Sequence, residues 1–121
     1  QHVLRVKAGE AVSYGLKRTV ETDANIATIP LGYADGVPRG LWQSGSVLIG
    51  GKRRPIAGVV TMDQIMVNCG DDQVLIGDEV VLIGRQGSEH ISANEWANKM
   101  DTIGYEVVCG ISARMPRRYI N

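Results

Sequence analysis

The sequence has few of the residues that usually carry chemistry, and it contains no Phe at all. Only two of its 121 residues are His and only two are Cys. Without Phe, the core must be built chiefly from Val, Ile and Leu. A chain of this length supports one hydrophobic core but not two. The sequence therefore predicts a single domain over residues 1–121.

The chain also lacks any excess of charge. Lys plus Arg number 13 and Asp plus Glu number 13, which gives a formal net charge of zero. A neutral chain has no general attraction to nucleic acid or to an anionic membrane. No apolar run approaches the roughly 18 residues of a membrane span, and no signal-peptide pattern opens the chain. We expect no nucleic-acid partner, no membrane partner and a cytoplasmic location.

The cysteines and histidines show no catalytic or metal-binding pattern. Cys69 and Cys109 lie far apart, without metal-ligand spacing, and two Cys do not make a disulfide framework. His2 and His90 have no neighbouring Ser or Cys of a known catalytic type. We therefore expect reduced thiols, no metal site and no self-contained catalytic machinery. The first residue is Gln rather than Met, which suggests a piece of a longer protein.

Short apolar runs that alternate with glycine turns predict a mainly β protein. The runs recur about every 8–12 residues, a spacing typical of a closed barrel or a sandwich rather than a parallel α/β sheet. We predict a closed Greek-key-like β-barrel with additional strands and one short α-helix. Gly50-Gly51 predicts a tight hairpin turn. The strands are expected at 3–6, 11–16, 25–31, 46–49, 52–60, 65–68 and 79–84, the last of these central, with closing strands at 105–108 and 114–120.

The helix is predicted at about 91–103. Ser92 and Glu95 form a capping-box pattern, and Ile91 with Trp96 fits a hydrophobic staple. Gly104 is expected to end the helix. Three apolar residues follow the helical spacing: Trp96, Met100 and Ile103. A weaker signal predicts a short helical turn around residues 38–42.

Two tyrosines stand beside glycines in unusual places. Tyr14 lies in a predicted strand directly before Gly15, and Tyr33 lies in the predicted turn 32–36. A glycine beside an aromatic residue lets another backbone or a ligand approach closely. From the residues alone, a strand tyrosine is more often a core residue than a functional one, so both interpretations stay open.

Four segments stand in the order seen in alanine racemases: Ala11–Gly15 (AVSYG), Ile29–Gly36 (IPLGYADG), Met62–Gln64 (MDQ) and Cys109–Arg117 (CGISARMPR). Over nearly its whole length the sequence resembles the C-terminal β-domain of that family. The resemblance implies that a (β/α)8 barrel carrying pyridoxal 5'-phosphate precedes this domain. It also implies a homodimer, in which the β-domain of one subunit completes the active site of its partner. None of the four lysines matches the family's cofactor lysine, so this chain alone is expected to be inactive.

The resemblance assigns roles to three residues. Tyr14 matches the tyrosine that exchanges the α-proton on the L face of the amino-acid substrate, while the cofactor lysine serves the D face. Because a free phenol has a pKa of about 10, it needs cationic neighbours to act as a base near neutral pH. The family's barrel supplies those cations, so Tyr14 is expected to be an ordinary phenol in this chain alone. Met62 matches the residue whose backbone N–H contacts the substrate carboxylate, and Tyr33 matches the tyrosine that narrows the entrance.

Further residues are assigned to the entrance or to its support. Asp35 and Arg39 match outer entrance positions. Asp63 is expected to fix its loop by an Asx-type hydrogen bond to nearby backbone. Ile111 is expected to join Tyr14, Tyr33 and Met62 in an exposed apolar patch where the barrel and the partner subunit dock.

Ala113 departs from the family pattern, because well-known members often carry a tyrosine at this position near the cofactor phosphate. A wider pocket would follow from the smaller side chain. The leading hypothesis is an alanine racemase that makes D-alanine for the bacterial cell wall. The alternatives are a serine or broad-specificity amino-acid racemase with the same fold, and a non-catalytic β-module used for dimerisation or binding.

Overall fold

A computed structural model describes residues 2–6, 11–12, 18–19, 24–113 and 115–116. The prediction of a mainly β protein is confirmed, since these residues contain ten short strands and two α-helices. The strands are β1 (His2–Val6), β2 (Ala11–Val12), β3 (Arg18–Thr19), β4 (Ala24–Ile29), β5 (Ser46–Ile49), β6 (Lys52–Pro55), β7 (Ile65–Asn68), β8 (Val80–Val81), β9 (Gly84–Gln86) and β10 (Glu89–Ile91). The helices are α1 (Ala93–Lys99) and α2 (Gly104–Cys109), and 3-10 turns cover Tyr33–Asp35 and Arg39–Gln43.

Two antiparallel three-stranded sheets organise the domain. One has the order β1-β4-β7 and the other the order β6-β5-β8. An isolated bridge between Ile56, which follows β6, and Val67 in β7 links them, and β2–β3 and β9–β10 form separate ribbons. Within the described ranges no strand pairing closes these sheets into a barrel, so closure remains a prediction. The strand predicted at 52–60 ends at Pro55. Proline has no backbone N–H to donate to a neighbouring strand, and Gly58 has a φ of +83°, which is not a strand conformation.

The predicted hairpin on Gly50-Gly51 is confirmed. Both glycines have positive φ, +64° and +76°, and Ile49 pairs with Lys52 across the turn. This backbone is the tight type I' turn that only glycine and a few polar residues adopt readily.

The core contains mainly Val, Ile and Leu, as the absence of Phe predicts. Strands β4, β5 and β7 contribute many of the buried side chains, and the largest fully buried ones include Leu41, Leu48 and Ile65. Trp96 is also buried and belongs to the same hydrophobic core. The buried polar residues of the described part are Thr28, Asp35 and Arg54.

The helix predicted at 91–103 is wrong in its extent. Helix α1 begins after Ser92, whose hydroxyl accepts the Glu95 N–H at 3.0 Å, as the capping pattern predicts. It ends at Lys99, because the chain turns through Asp101 in a left-handed conformation with φ +55°. Gly104 does not stop a helix but begins α2.

The closing strand predicted at 105–108 is also wrong, because these residues lie in α2. Val107 is buried against the core while Tyr105 and Val108 point outward. Such a short apolar run has no periodicity that separates a strand from a buried helical turn. The other predicted closing strand, 114–120, lies almost entirely outside the described residues.

The apolar run 79–84 is not the central strand that the sequence predicts. Within this run Val80 and Val81 form the short strand β8, which is an edge of its sheet, and Gly84 already begins β9. The four apolar side chains of this run are half-buried, and Gly84 bends the backbone with φ +141°. In the described part of the chain, no helix has the length and apolar character needed to cross a membrane.

Candidate functional site

A tight turn over residues 32–36 lies just beyond the end of β4 and forms the centre of the candidate site. The carboxylate of Asp35 accepts the Gly32 N–H at 3.0 Å, and Gly36 donates its N–H to the Tyr33 carbonyl at 3.3 Å. Gly36 has φ +112°, a conformation that favours glycine. Asp35 is only 4% exposed, so its carboxylate belongs to the interior of the turn.

One side of this turn packs against the loop 61–64. Tyr33 donates its N–H to the Thr61 carbonyl at 3.0 Å, and Ala34 donates to the Met62 carbonyl at 2.9 Å. A Cβ atom on Gly32 would meet the Thr61 carbonyl oxygen in a severe clash, so only glycine fits this approach. The two segments are neighbours because Ile29 and Ile65 pair at the same end of the sheet.

Among the described residues, Thr61 forms the side-chain hydrogen bonds that hold the loop 61–64. The Thr61 hydroxyl accepts the Gln64 N–H at 3.1 Å and donates to the Gln64 carbonyl at 3.0 Å. Asp63 forms no side-chain hydrogen bond to another described residue, so the Asx-type bond expected for it is not seen there. Sequence reasoning missed Thr61, although a Thr at the start of a loop is a known turn-forming signal.

The other side of the turn packs against the segment that follows α2. Ser112 donates its N–H to the Asp35 carbonyl at 3.1 Å. A Cβ atom on Gly36 would lie 2.8 Å from both the Gly110 carbonyl oxygen and the Ile111 Cα. Ile111 and Ser112 therefore lie against the turn, and Ala113 follows them directly in the chain.

The structure thus brings together most of the residues predicted for the site. The exposed members are Tyr33, Met62, Asp63, Ile111 and Ala113. Arg39 follows on the next 3-10 turn and is exposed, whereas Asp35 is buried as an internal support. Tyr14 lies outside the described residues.

The backbone N–H of Met62 has no acceptor among the described residues. Met62 stands at the loop tip and is 57% exposed. Its carbonyl is bonded to Ala34, but its N–H forms no hydrogen bond with any residue that the structure describes. A backbone N–H that no protein group accepts can donate to a carboxylate oxygen.

The surroundings of the turn are largely apolar. Tyr33, Met62 and Ile111 expose between 37% and 57% of their surface, which agrees with the apolar patch expected from the sequence. A cavity of about 340 Å³ adjoins the turn. Its lining is mostly aliphatic and includes Leu31, Val37, residues 80–83, Trp96 and Ile111. The indole N–H of Trp96 is buried and has no acceptor within the described ranges.

The described lysines do not fit a site for pyridoxal phosphate. Lys52 pairs with Asp72 at 3.2 Å, and Lys99 lies in the last turn of α1. Lys7 and Lys17 lie outside the described residues. Among the described residues, the turn and its two neighbouring segments hold the Met62 amide, exposed apolar side chains and the buried Asp35 carboxylate. This arrangement can position part of a substrate, but it offers neither a covalent anchor nor a phosphate cradle.

Comparison with known proteins places these features in one family. The family model described as "Alanine racemase, C-terminal domain" matches residues 1–119. The chain is 57% identical over 115 residues to an alanine racemase of Symbiobacterium thermophilum, covering 94% of this chain and 30% of that protein. It is 49% identical over 119 residues to alanine racemase 1 of Bacillus subtilis, covering 98% of this chain and 30% of that protein.

Solved structures agree with the sequence matches. The crystal structure of alanine racemase from Bacillus anthracis with bound L-Ala-P superposes with a TM-score of 0.93 at 46% identity, covering 99% of this chain and 31% of that one. Alanine racemase from E. faecalis gives a TM-score of 0.92 at 43% identity, covering 98% and 32%. The chain spans about a third of the length of the relatives that it matches. It belongs to the alanine racemase C-terminal domain family.

Proposed function

We propose that this chain is the C-terminal domain of a pyridoxal-phosphate-dependent alanine racemase and completes the active site of the partner subunit in a homodimer. The observation that carries the proposal is the meeting of three family-like segments at one turn. The 32–36 turn touches the loop 61–64 through Tyr33 and the segment 110–113 through Asp35. These segments are far apart in sequence, so their convergence on one exposed surface supports a shared role.

The cofactor is assigned to an N-terminal barrel domain that precedes this one in the parent polypeptide. The described residues of this chain do not fit a pyridoxal phosphate site. When bound elsewhere, such a cofactor supplies an electron sink for the carbanion of an amino acid. The proposal also includes a closed Greek-key-like barrel for the complete domain, supported by the bridge that already links its two sheets.

The contribution of this chain is to hold a proton and to orient the substrate. Tyr14 would hold and return the α-proton at its phenol oxygen on the L face, once cations of the upstream domain stabilise the phenolate. The Met62 N–H would donate to the substrate carboxylate. Tyr33, with Arg39, Asp63 and Ile111 around it, would limit the entrance to small amino acids.

Ala113 is the observation that favours a second substrate range. Its side chain ends at Cβ and is exposed, at a position where the family resemblance implies a tyrosine. A pocket widened there would admit serine or other amino acids, which makes a broad-specificity racemase the runner-up. The alternative that is not an enzyme is a non-catalytic β-module used for dimerisation or binding. The reaction would run in the bacterial cytoplasm and provide D-alanine for the cell wall.

The test is racemisation by the parent polypeptide with added pyridoxal phosphate. We expect D-alanine to form from L-alanine, measured by chiral chromatography, and none to form with residues 1–121 alone. Serine tested in parallel separates the two racemase hypotheses, and Ala113→Tyr is expected to lower turnover of serine more than that of alanine. Failure of the parent to racemise any amino acid would support the non-catalytic module.

A further inference from the structure

A second exposed apolar feature lies outside the candidate site, in the turn 75–78. Leu75 is 60% exposed and Ile76 is 74% exposed. The turn is closed by Asp78, whose carboxylate accepts the Leu75 N–H at 2.9 Å and whose N–H donates to the Leu75 carbonyl at 3.1 Å. Gly77 completes it with φ +99°. The turn therefore displays two adjacent aliphatic side chains to solvent on a fixed backbone.

This turn stands at the end of the sheet where the preceding polypeptide joins it. A cleft of about 30 Å³ lies between the turn and β4, lined by residues that include Thr28, Ile29 and Leu75. In the neighbouring strand β1, His2 pairs with Thr28 and Val6 pairs with Ala24. Chain that precedes His2 must therefore arrive beside the Thr28 end of β4, which is next to the exposed turn.

We infer that Leu75 and Ile76 form a docking contact for the upstream domain of the same polypeptide. The chain covers only 30% of the length of the alanine racemase from Symbiobacterium thermophilum, and its family is that of the C-terminal domain. In a full-length protein of that size, most of the polypeptide would therefore precede residue 1. An upstream domain attached beside Thr28 is held near this turn at high effective concentration. Burial under that domain removes the two aliphatic side chains from water.

A second copy of the chain is the competing occupant. A tethered neighbour is favoured because the contact lies next to the point of attachment and needs no encounter between molecules. The inference rests on a parent of the relatives' length and not on the racemase reaction. Activity and docking can therefore fail independently.

The test uses the parent polypeptide with Cys109→Ser as background, because Cys109 is an exposed native thiol. Ile76→Cys places a thiol on the turn, and Ser88→Cys places a matched thiol on the exposed turn between β9 and β10. We expect maleimide to label position 76 at least tenfold more slowly than position 88, measured by peptide mass spectrometry. Equal labelling rates would overturn the inference.

A cross-link identifies what covers the turn. A photoreactive reagent attached to the position-76 thiol should join it to a peptide of the upstream domain within one polypeptide. The product then runs at the mass of one chain on a denaturing gel. A product of twice that mass would assign the contact to a second copy and overturn the inference. Racemase activity measured on the same samples shows whether the proposed function stands or fails separately.

Discussion

Gly32 is the residue that allows the candidate site to form. Its φ of −155° is extended backbone that any residue adopts, so backbone freedom is not the reason for glycine here. The reason is space, since a Cβ atom would clash with the Thr61 carbonyl oxygen and lie 2.7 Å from the Met62 carbonyl carbon. The Gly32 N–H is also bonded to the buried Asp35 carboxylate.

Gly32→Ala is predicted to push the turn 32–36 away from the loop 61–64. We expect a loss of about 1–3 kcal/mol in the free energy of unfolding, the usual cost of overpacking, measured by urea unfolding. Racemase activity of the parent should fall as well, because Tyr33 and Met62 would no longer be held together. The matched control is Gly40→Ala, whose added methyl meets only the flexible end of Met100. Equal stability of the two variants would contradict this account of the turn.

Arg54 is a buried cation that ties three backbone segments together. It is 6% exposed, and its guanidinium donates to the Ile49 carbonyl at 3.1 Å, to the Cys69 carbonyl at 3.2 Å and to the Asp72 carboxylate at 2.6 Å. The Asp72 pKa is lowered, first by the hydrogen bond from Arg54 and then by that from Lys52. A lysine keeps the positive charge, but it lacks the planar guanidinium group whose several N–H donors reach these acceptors together.

Arg54→Lys is therefore predicted to destabilise the protein by about 2 kcal/mol, since it leaves buried carbonyl groups without donors. Urea unfolding at neutral pH measures the change. Arg85→Lys, at an exposed position on β9, serves as the control and should alter stability little. If Arg54→Lys lowers the free energy of unfolding no more than Arg85→Lys does, the hydrogen bonds of the Arg54 guanidinium are not needed for stability.

Single residues differ in how far the sequence predicts them. Gly50-Gly51 and Ser92 act locally, within a hairpin turn and a helix cap, and both predictions are confirmed. Thr61 and Arg54 were missed because their partners or their burial depend on how distant segments pack. Asp35 matched an entrance position in the sequence, but the structure places it inside the turn as a support.

An ion-pair cluster connects strand β6 to helix α1. Arg53 donates to both Glu95 carboxylate oxygens, at 2.7 and 2.8 Å, and to the His90 carbonyl at 2.7 Å. The sequence predicts that Glu95 reaches back to its own helix cap, but its carboxylate pairs with Arg53 instead. The hydrogen bond from Arg53 is the main reason that the pKa of Glu95 is lowered.

The lowered pKa of Glu95 predicts how the free energy of unfolding changes with pH. Because Glu95 is more acidic in the folded state, its contribution is present above the pKa of the unfolded chain, about 4.3. It is lost as the pH falls through the lowered folded-state pKa. Glu95→Gln should reduce stability at pH 7 by about 0.5–1 kcal/mol, since the pair is partly exposed.

The difference between wild type and Glu95→Gln should shrink in acid and disappear once Glu95 is protonated, as followed by urea unfolding from pH 7 to pH 3. Asp101→Asn is a suitable control, because Asp101 is exposed and asparagine tolerates its left-handed backbone. A destabilisation by Glu95→Gln that is constant with pH would argue against the Arg53 pairing.

The positions of the longer β-strands were easier to predict than the secondary structure of the short apolar runs. Strands β4, β5 and β7 have clear apolar patterns bounded by turn residues, and they lie close to their predicted positions. The runs 79–84 and 105–108 were assigned wrongly because burial on one side suits an edge strand and a helix equally well. Closure of the barrel depends on pairings between distant strands, which the local pattern does not specify.

As a whole, the described part of the domain contains only some of the groups that the proposed reaction needs. Tyr33, Met62 and Ile111 are exposed apolar residues, and the Met62 amide has no hydrogen-bond partner among the described residues, while the described lysines are engaged or placed elsewhere. The chain spans about a third of its relatives' length, which agrees with a site completed by another domain. The order of the family-like segments was visible in the sequence. Their convergence on one turn required the fold.

The central claim is that Tyr14 serves the L face of the substrate, and exchange of the α-proton tests it most directly. In deuterated water, the parent enzyme should exchange the α-proton of both L- and D-alanine, as followed by NMR. Tyr14→Phe is predicted to slow L-alanine exchange by at least about 100-fold, the usual size of an acid–base contribution. D-alanine exchange, assigned to the upstream lysine, should persist, and Tyr105→Phe on the exposed face of α2 should change neither rate. Exchange of L-alanine at the wild-type rate in Tyr14→Phe would contradict the account.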